Sequence, residues 1–129
     1  MKNSFCKEEK LCNKILIDQL FDKKKKIKFT EFPLTLIAQE SPNHNQTYPA
    51  QVLISVSKRK IRLAVNRNLL KRRMREAYRL NKNEFYDSLK AQNRTLIFSF
   101  IYLGNKPITY TEIEEKIIVL LKRLTDKSD

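Results

Sequence analysis

The 129-residue chain contains one glycine, one histidine, two cysteines and no tryptophan. With Gly104 as its only glycine, neither a G-x-G-x-x-G fingerprint nor a P-loop can be written, so glycine-rich cradles for nucleotide phosphates are excluded. With His44 as its only histidine, H-E-x-x-H zinc sites are excluded too. Cys6 and Cys12 plus one distant His cannot complete an ordinary four-ligand zinc site. A Ser-His-Asp triad would have to recruit His44 from a polar stretch of Pro and Asn that offers no patterned partner. The longest apolar run, Leu96–Leu103, is interrupted by Ser99 and falls far short of the ~20 residues that span a bilayer. Met1–Lys10 is polar and charged and lacks the apolar centre of a secretory signal, so the cytoplasm is the expected compartment. There the two cysteines are read as reduced thiols. These scarcities leave little with which to build self-contained catalysis.

Positive charge is in surplus. The chain has 27 Lys and Arg against 14 Asp and Glu, a net charge of +13, while 41% of its residues are apolar. The apolar share and the length suit one folded domain over 1–129. The charge suits a polyanionic partner. It is concentrated: of the 25 residues from Lys58 to Lys82, eleven are basic and only Glu76 is acidic. The same segment is amphipathic. Leu63, Leu70, Met74, Ala77 and Tyr78 fall on one side of a helix expected over about 63–81. Arg67, Asn68, Lys71, Arg72, Arg75 and Arg79 fall on an adjoining surface. Like charges at i, i+4 repel, and a merely solvated helix normally relieves this by mixing signs. An anionic partner is the natural relief, and guanidinium groups offer phosphate a bidentate fork. A membrane-surface role fits less well, because the apolar side lacks Trp or Phe anchors and is needed for the core.

Periodicity along the rest of the chain predicts alternating element types. A first helix is expected over about 7–22, followed by the run Lys23–Lys26. Strands are expected over 32–39, 50–57 and 95–103; the last is apolar on nearly both faces and so belongs in the middle of a sheet. One more short strand is possible. A closing helix begins near Thr111, with Thr111 and Glu114 at capping-box spacing. Ile113, Ile117, Leu120, Leu121 and Leu124 form its core stripe. The fold class is α+β, with helices packed against a small sheet.

Ser55-Val56-Ser57-Lys58-Arg59, followed by Ala64-Val65-Asn66-Arg67-Asn68-Leu69-Leu70-Lys71-Arg72-Arg73-Met74-Arg75-Glu76, resembles the protein component of bacterial ribonuclease P. That family has a strand ending in S-x-S-K-K and a helix of the form A-V-x-R-N-x-x-K-R-x-x-R-E. Leu69 stands where the family's Arg-Asn-Arg triplet has its second Arg. The resemblance implies an αβββαβα sandwich whose basic helix joins two parallel strands by a left-handed crossover. A purely physical expectation would be right-handed. It also implies a place in a ribonucleoprotein endonuclease that removes the 5′ leader from precursor tRNA with Mg²⁺. There the RNA subunit is the catalyst and the protein binds that RNA and the leader.

By the same resemblance, the RNA-binding positions are Lys58, Arg59, Arg67, Asn68, Lys71, Arg72, Arg75 and Arg79. The wall of a leader cleft is Ile17, Phe21, Phe32 and Leu34. No residue of this chain is expected to be catalytic or to hold metal, Mg²⁺ being bound mainly by the RNA. The partners are ribonuclease P RNA and precursor tRNA, with no membrane and no small-molecule substrate. A different basic RNA-binding module, such as a ribosomal protein, would share the charge but not the Ala64–Glu76 pattern. An autonomous metal-dependent nuclease would need Glu8, Glu9, Glu84 or Asp87 to converge, and these acids show no shared spacing.

Overall fold

The computed structural model describes residues 27–40 and 49–126. Strands β1 (Ile27–Glu31), β2 (Leu34–Glu40) and β3 (Ala50–Val56) are followed by helix α1 (Ala64–Ala91), strand β4 (Leu96–Tyr102) and helix α2 (Tyr110–Asp126). The expected first helix, Ile17 and Phe21 included, lies outside the described residues. The four strands form one sheet in the spatial order β1-β2-β4-β3. β2 is antiparallel to β1 and to β4, whereas β3 runs parallel to β4, so α1 is the crossover of a βαβ unit. As its apolar composition requires, β4 lies inside the sheet, and every residue of it but Ile101 is buried.

One additional strand is present. Ile27 and Phe29 alternate with Lys28 and Thr30, and this short β1 folds back on β2 through the Phe32–Pro33 turn, whose peptide bond is cis. The turn also corrects the expected strand over 32–39. Phe32 is outside the ladder, and β2 starts at Leu34.

Side chains alternate across the sheet. Leu34, Leu36 and Ala38 of β2, Val52 and Val56 of β3, and Leu96, Phe98, Phe100 and Tyr102 of β4 belong to one core cluster with the inner faces of both helices. Tyr78 of α1 is its centre. Its ring meets those of Phe98 and Phe100 edge-on at centroid distances of 5.7 and 6.0 Å, and its hydroxyl lies 3.2 Å from that of Tyr86. Edge-to-face pairs of this kind add about 0.5–1.5 kcal/mol each to area burial. Ile97 and Ser99 face the other way and are fully buried as well.

Helix α1 reaches Ala91, ten residues past the expected end at 81, because the apolar stripe continues. Leu70, Met74, Ala77, Tyr78, Lys82, Phe85, Tyr86 and Leu89 are all buried at three- and four-residue steps. Lys82 is therefore not part of the cationic surface; its ammonium lies over the Tyr86 ring, 5.7 Å from the centroid. The helix closes at Asn93, whose φ of 56° is tolerated by Asn, and Arg94 N–H returns to the Leu89 carbonyl at 2.9 Å.

The cap of α2 is two residues earlier than expected. Thr109, not Thr111, is the N-cap: its Oγ1 accepts from Glu112 N–H at 3.3 Å and donates to the Glu112 carboxylate at 3.2 Å. Glu114 instead receives Tyr110 Oη–H and Asn81 Nδ2–H, at 3.2 and 3.1 Å, and so ties α2 to α1. The five-residue core stripe of α2 is buried as its periodicity predicts.

Candidate nucleic-acid interface

Packing divides the surface of α1 by residue type. Leu70, Met74, Ala77 and Tyr78 have no exposed surface. Leu63 was expected with them but is the N-cap residue, extended in backbone and 67% exposed. Before the first helical turn the stripe no longer points inward.

The positions that packing leaves outward carry the charge. Asn68, Arg72 and Arg75 are exposed and Arg67 and Lys71 half-buried; Lys58 and Arg59, just past the end of β3, are exposed. None of these six cations has a carboxylate partner among the described residues. The first turn of α1 holds no acidic residue and its N-cap supplies no side-chain acceptor, so the positive end of the helix dipole adds to the same field.

Two members of the basic set have structural duties. Arg67 Nη1 donates to the Ile61 and Arg62 carbonyls at 2.9 and 2.8 Å, which pins the 57–63 link to the helix it leads into. Arg79 forms a bidentate pair with Glu76, Nε to Oε1 at 3.0 Å and Nη2 to Oε2 at 2.7 Å. This contact lowers the Glu76 carboxyl below its usual range and raises the Arg79 guanidinium. Arg79 is thus the one residue of the expected RNA-binding set whose charge is already answered among the described residues. Arg73 is not on the ridge. Its Nη1 donates to the Ile108 carbonyl and fastens the β4–α2 loop to α1.

The expected cleft wall needs a correction as well. Leu34 has no exposed surface, pairs across the ladder with Tyr102 and belongs to the core beneath α1 and α2. Period-two alternation puts it on the same face as Leu36 and Ala38. Phe32 is 68% exposed, because it sits in the turn before the ladder begins.

Glu84 and Asp87 are exposed on α1, and no group of three or more His, Cys, Asp or Glu side chains that could hold a metal ion occurs among the described residues. No helix among them is long and apolar enough to cross a membrane.

The Ribonuclease P family model matches residues 5–125. The chain belongs to the ribonuclease P protein family. The ribonuclease P protein component of Porphyromonas gingivalis is 31% identical over 96 residues, covering 74% of this chain and 69% of the relative. That of Chlorobium phaeobacteroides is 39% identical over 84 residues, 65% of this chain and 58% of the relative. The solved structure of the Staphylococcus aureus RNase P protein superposes with a TM-score of 0.69 at 19% identity, covering 94% of this chain and 98% of that one. A mutant of the same protein gives 0.71, also at 19% identity. At that identity the superpositions show a shared fold. As a ribonuclease P protein component, the chain is part of the endoribonuclease that removes the 5′ leader of precursor tRNA.

The ridge on α1 was legible from sequence. The pocket beside it was not. At the end of the sheet where β3 leads into α1, Phe32, Arg59, Lys60, Arg62, Leu103 and Asn105 line an open pocket of about 480 Å³. Lys60, Arg62 and Asn105 were not among the expected site residues. Their nearness to Phe32 follows only from the pairing of β2 and β3 with β4.

Proposed function

We propose that the outward face of α1, centred on Arg67, Lys71, Arg72 and Arg75, docks on the phosphates of the catalytic ribonuclease P RNA. Lys58 and Arg59 extend the contact from the end of β3, and Asn68 supplies a neutral donor and acceptor for a sugar or base edge. The carrying observation is the unopposed charge: these cations flank a fully packed apolar stripe and have no carboxylate partner among the described residues. Such charge is costly to hold close together unless a polyanion neutralises it.

Precursor tRNA is the second partner. Of the leader-cleft wall, Phe32 is retained and Leu34 is withdrawn. The protein's contribution is electrostatic. Cations placed where two RNAs meet release condensed counterions and lower the Mg²⁺ needed to hold the RNAs together. In keeping with the family resemblance, Mg²⁺ and the bond-breaking step are assigned to the RNA. The cytoplasm is the proposed compartment.

The test is leader cleavage by a bacterial ribonuclease P RNA at limiting Mg²⁺, with and without the protein. Cleavage should rise sharply when the wild-type chain is added and much less when Lys71, Arg72 and Arg75 are all replaced by Ala. Equal stimulation by both proteins would refute the docking face.

A further inference from the structure

The N-terminal end of α1 has a composition that folding does not explain. Val65 and Leu63 are 76% and 67% exposed, and Ala64 between them is exposed as well. One apolar side chain alone on a surface needs no explanation. These two are neighbours, and each forgoes local stability. Leu63 is the N-cap of α1 and supplies no side-chain acceptor, where Ser, Thr, Asp or Asn would satisfy a free amide. Val65 is β-branched, which suits a helix poorly, and it is no part of the core cluster.

The surroundings identify what covers this end. Val65 shares a helix face with Asn68, Leu69 and Arg72, which follow at helical spacing. Asn68 and Arg72 are exposed, Leu69 is half-buried, and Arg62 is exposed just before Leu63. Neither Arg62 nor Arg72 has a carboxylate partner among the described residues. Leu69 is itself the departure from the family's Arg-Asn-Arg triplet. The docking face is therefore not uniformly cationic: an aliphatic end leads into a cationic middle. A second copy of the chain would bring like charges together around the patch, which opposes self-association. RNA answers both parts, because its ribose rings present C–H surface between the phosphates. Leu and Val have no π face on which an unpaired base could stack. The riboses of an A-form duplex lie open in its wide, shallow groove, whereas the deep groove is closed to side chains. Arg67 sets the backbone of this end in advance: its Nη1 holds the Ile61 and Arg62 carbonyls, and its N–H donates to the Leu63 carbonyl at 3.1 Å. Such pre-ordering reduces the cost of binding.

We propose that Leu63 and Val65, continued by Leu69, form an aliphatic contact that lies on ribose surface in the shallow groove of a duplex of the ribonuclease P RNA, while the cations beyond it take phosphate. The proposal deepens the docking reading above and rests on it. It gives the interface a salt-independent part that a plain polyanion cannot satisfy.

The experiment is calorimetric titration of the whole chain with ribonuclease P RNA and, separately, with inorganic polyphosphate, each across a salt series. Leu63→Gln combined with Val65→Gln should weaken RNA binding roughly tenfold at every salt concentration and leave the slope of log affinity against log salt unchanged. Polyphosphate binding and the melting curve should stay at wild type. Leu63→Met combined with Val65→Ile should keep wild-type affinity, because the apolar surface returns. Arg72→Ala should do the opposite of the Gln pair and lower the RNA slope by about 0.7–0.9. Unchanged RNA affinity in the Gln pair, a loss that appears as a change of slope, or an equal loss on polyphosphate would overturn the contact. So would sedimentation showing that the wild-type chain pairs with a second copy and the Gln pair does not. Replacing Lys71, Arg72 and Arg75 together with Ala in the same titration separates the two readings. A large loss there beside an indifferent Gln pair removes the aliphatic contact alone. No loss there removes the cationic docking face, while the Gln pair still decides the contact by its own loss.

Discussion

Replacing Arg75 with Ala should reduce the salt dependence of RNA affinity by one phosphate contact, and replacing Arg73 with Ala should not. The two arginines lie on the same turn of α1 but face different surroundings. Arg75 is exposed and has no carboxylate partner among the described residues. Arg73 is half-buried and donates to the Ile108 carbonyl. Each neutralised phosphate contributes about 0.7–0.9 to the slope of log affinity against log salt, so losing one costs about five- to eightfold in affinity near 0.1 M salt. For Arg73 the loss is in folding: one charged hydrogen bond to a partly buried carbonyl contributes about 1–2 kcal/mol, since partial solvation places it at the lower end of such contacts. For a domain of this size that lowers Tm by roughly 4–8 °C. Filter binding of ribonuclease P RNA across a salt series, paired with thermal melts, measures both quantities. If Arg73→Ala kept the wild-type Tm and lost slope while Arg75→Ala lost neither, the two faces of α1 would have been assigned in reverse.

Glu76→Gln should remove the one carboxylate charge set against Arg79 in the Lys58–Lys82 segment and so raise RNA affinity severalfold, with a slope increase of up to about one. Because the Arg79 hydrogen bond holds the Glu76 carboxyl below its usual range, the pair persists as pH falls. The affinity gap between Glu76→Gln and wild type should therefore stay constant from neutral pH to about pH 5 and close only below the ordinary carboxylate pKa of about 4.3. Leu70→Asp should abolish the cooperative melt, because it places an unpaired charge where no solvent reaches; a wild-type Tm would contradict the packing of α1. Thr109→Ala should cost about 1 kcal/mol in urea unfolding and Thr111→Ala little, since only Thr109 accepts the Glu112 amide.

Much of this architecture is written in residue spacing. The four-three-one steps of Leu70, Met74, Ala77 and Tyr78 give the inward face of α1, and with it the outward cations. The nearly unbroken apolar run of β4 gives its interior place in the sheet. What spacing hides is where periodicity stops and what distant turns share. Leu63 keeps the seven-residue step to Leu70, yet it is the N-cap: its carbonyl accepts the first helical hydrogen bond, from Arg67 N–H at 3.1 Å, while its extended backbone turns its side chain outward. Phe85, Tyr86 and Leu89 continue the α1 stripe beyond 81, but the polar residues between them hide the continuation. In sequence, β1 directly follows a lysine run that reads as a turn. Leu34 carries the alternation of a core strand, and that alternation outweighs its assignment to a cleft. The sheet-end pocket draws on residues 32, 59–62 and 103–105, which only the ladder pairing brings together.

The position of β4 also has a consequence for synthesis. It is third in spatial order and last of the strands in sequence. Until it has left the ribosome, the β1–β2 hairpin and β3 have no common neighbour, and the rings of Phe98 and Phe100 that seat Tyr78 have not been made. The cation-bearing helix is therefore translated ahead of part of its support, and a nascent chain ending before Leu96 carries it without the β4 rings that seat Tyr78. RNA that meets this intermediate meets a loose polycation, and only the arrival of residues 96–102 turns diffuse attraction into a shaped grip.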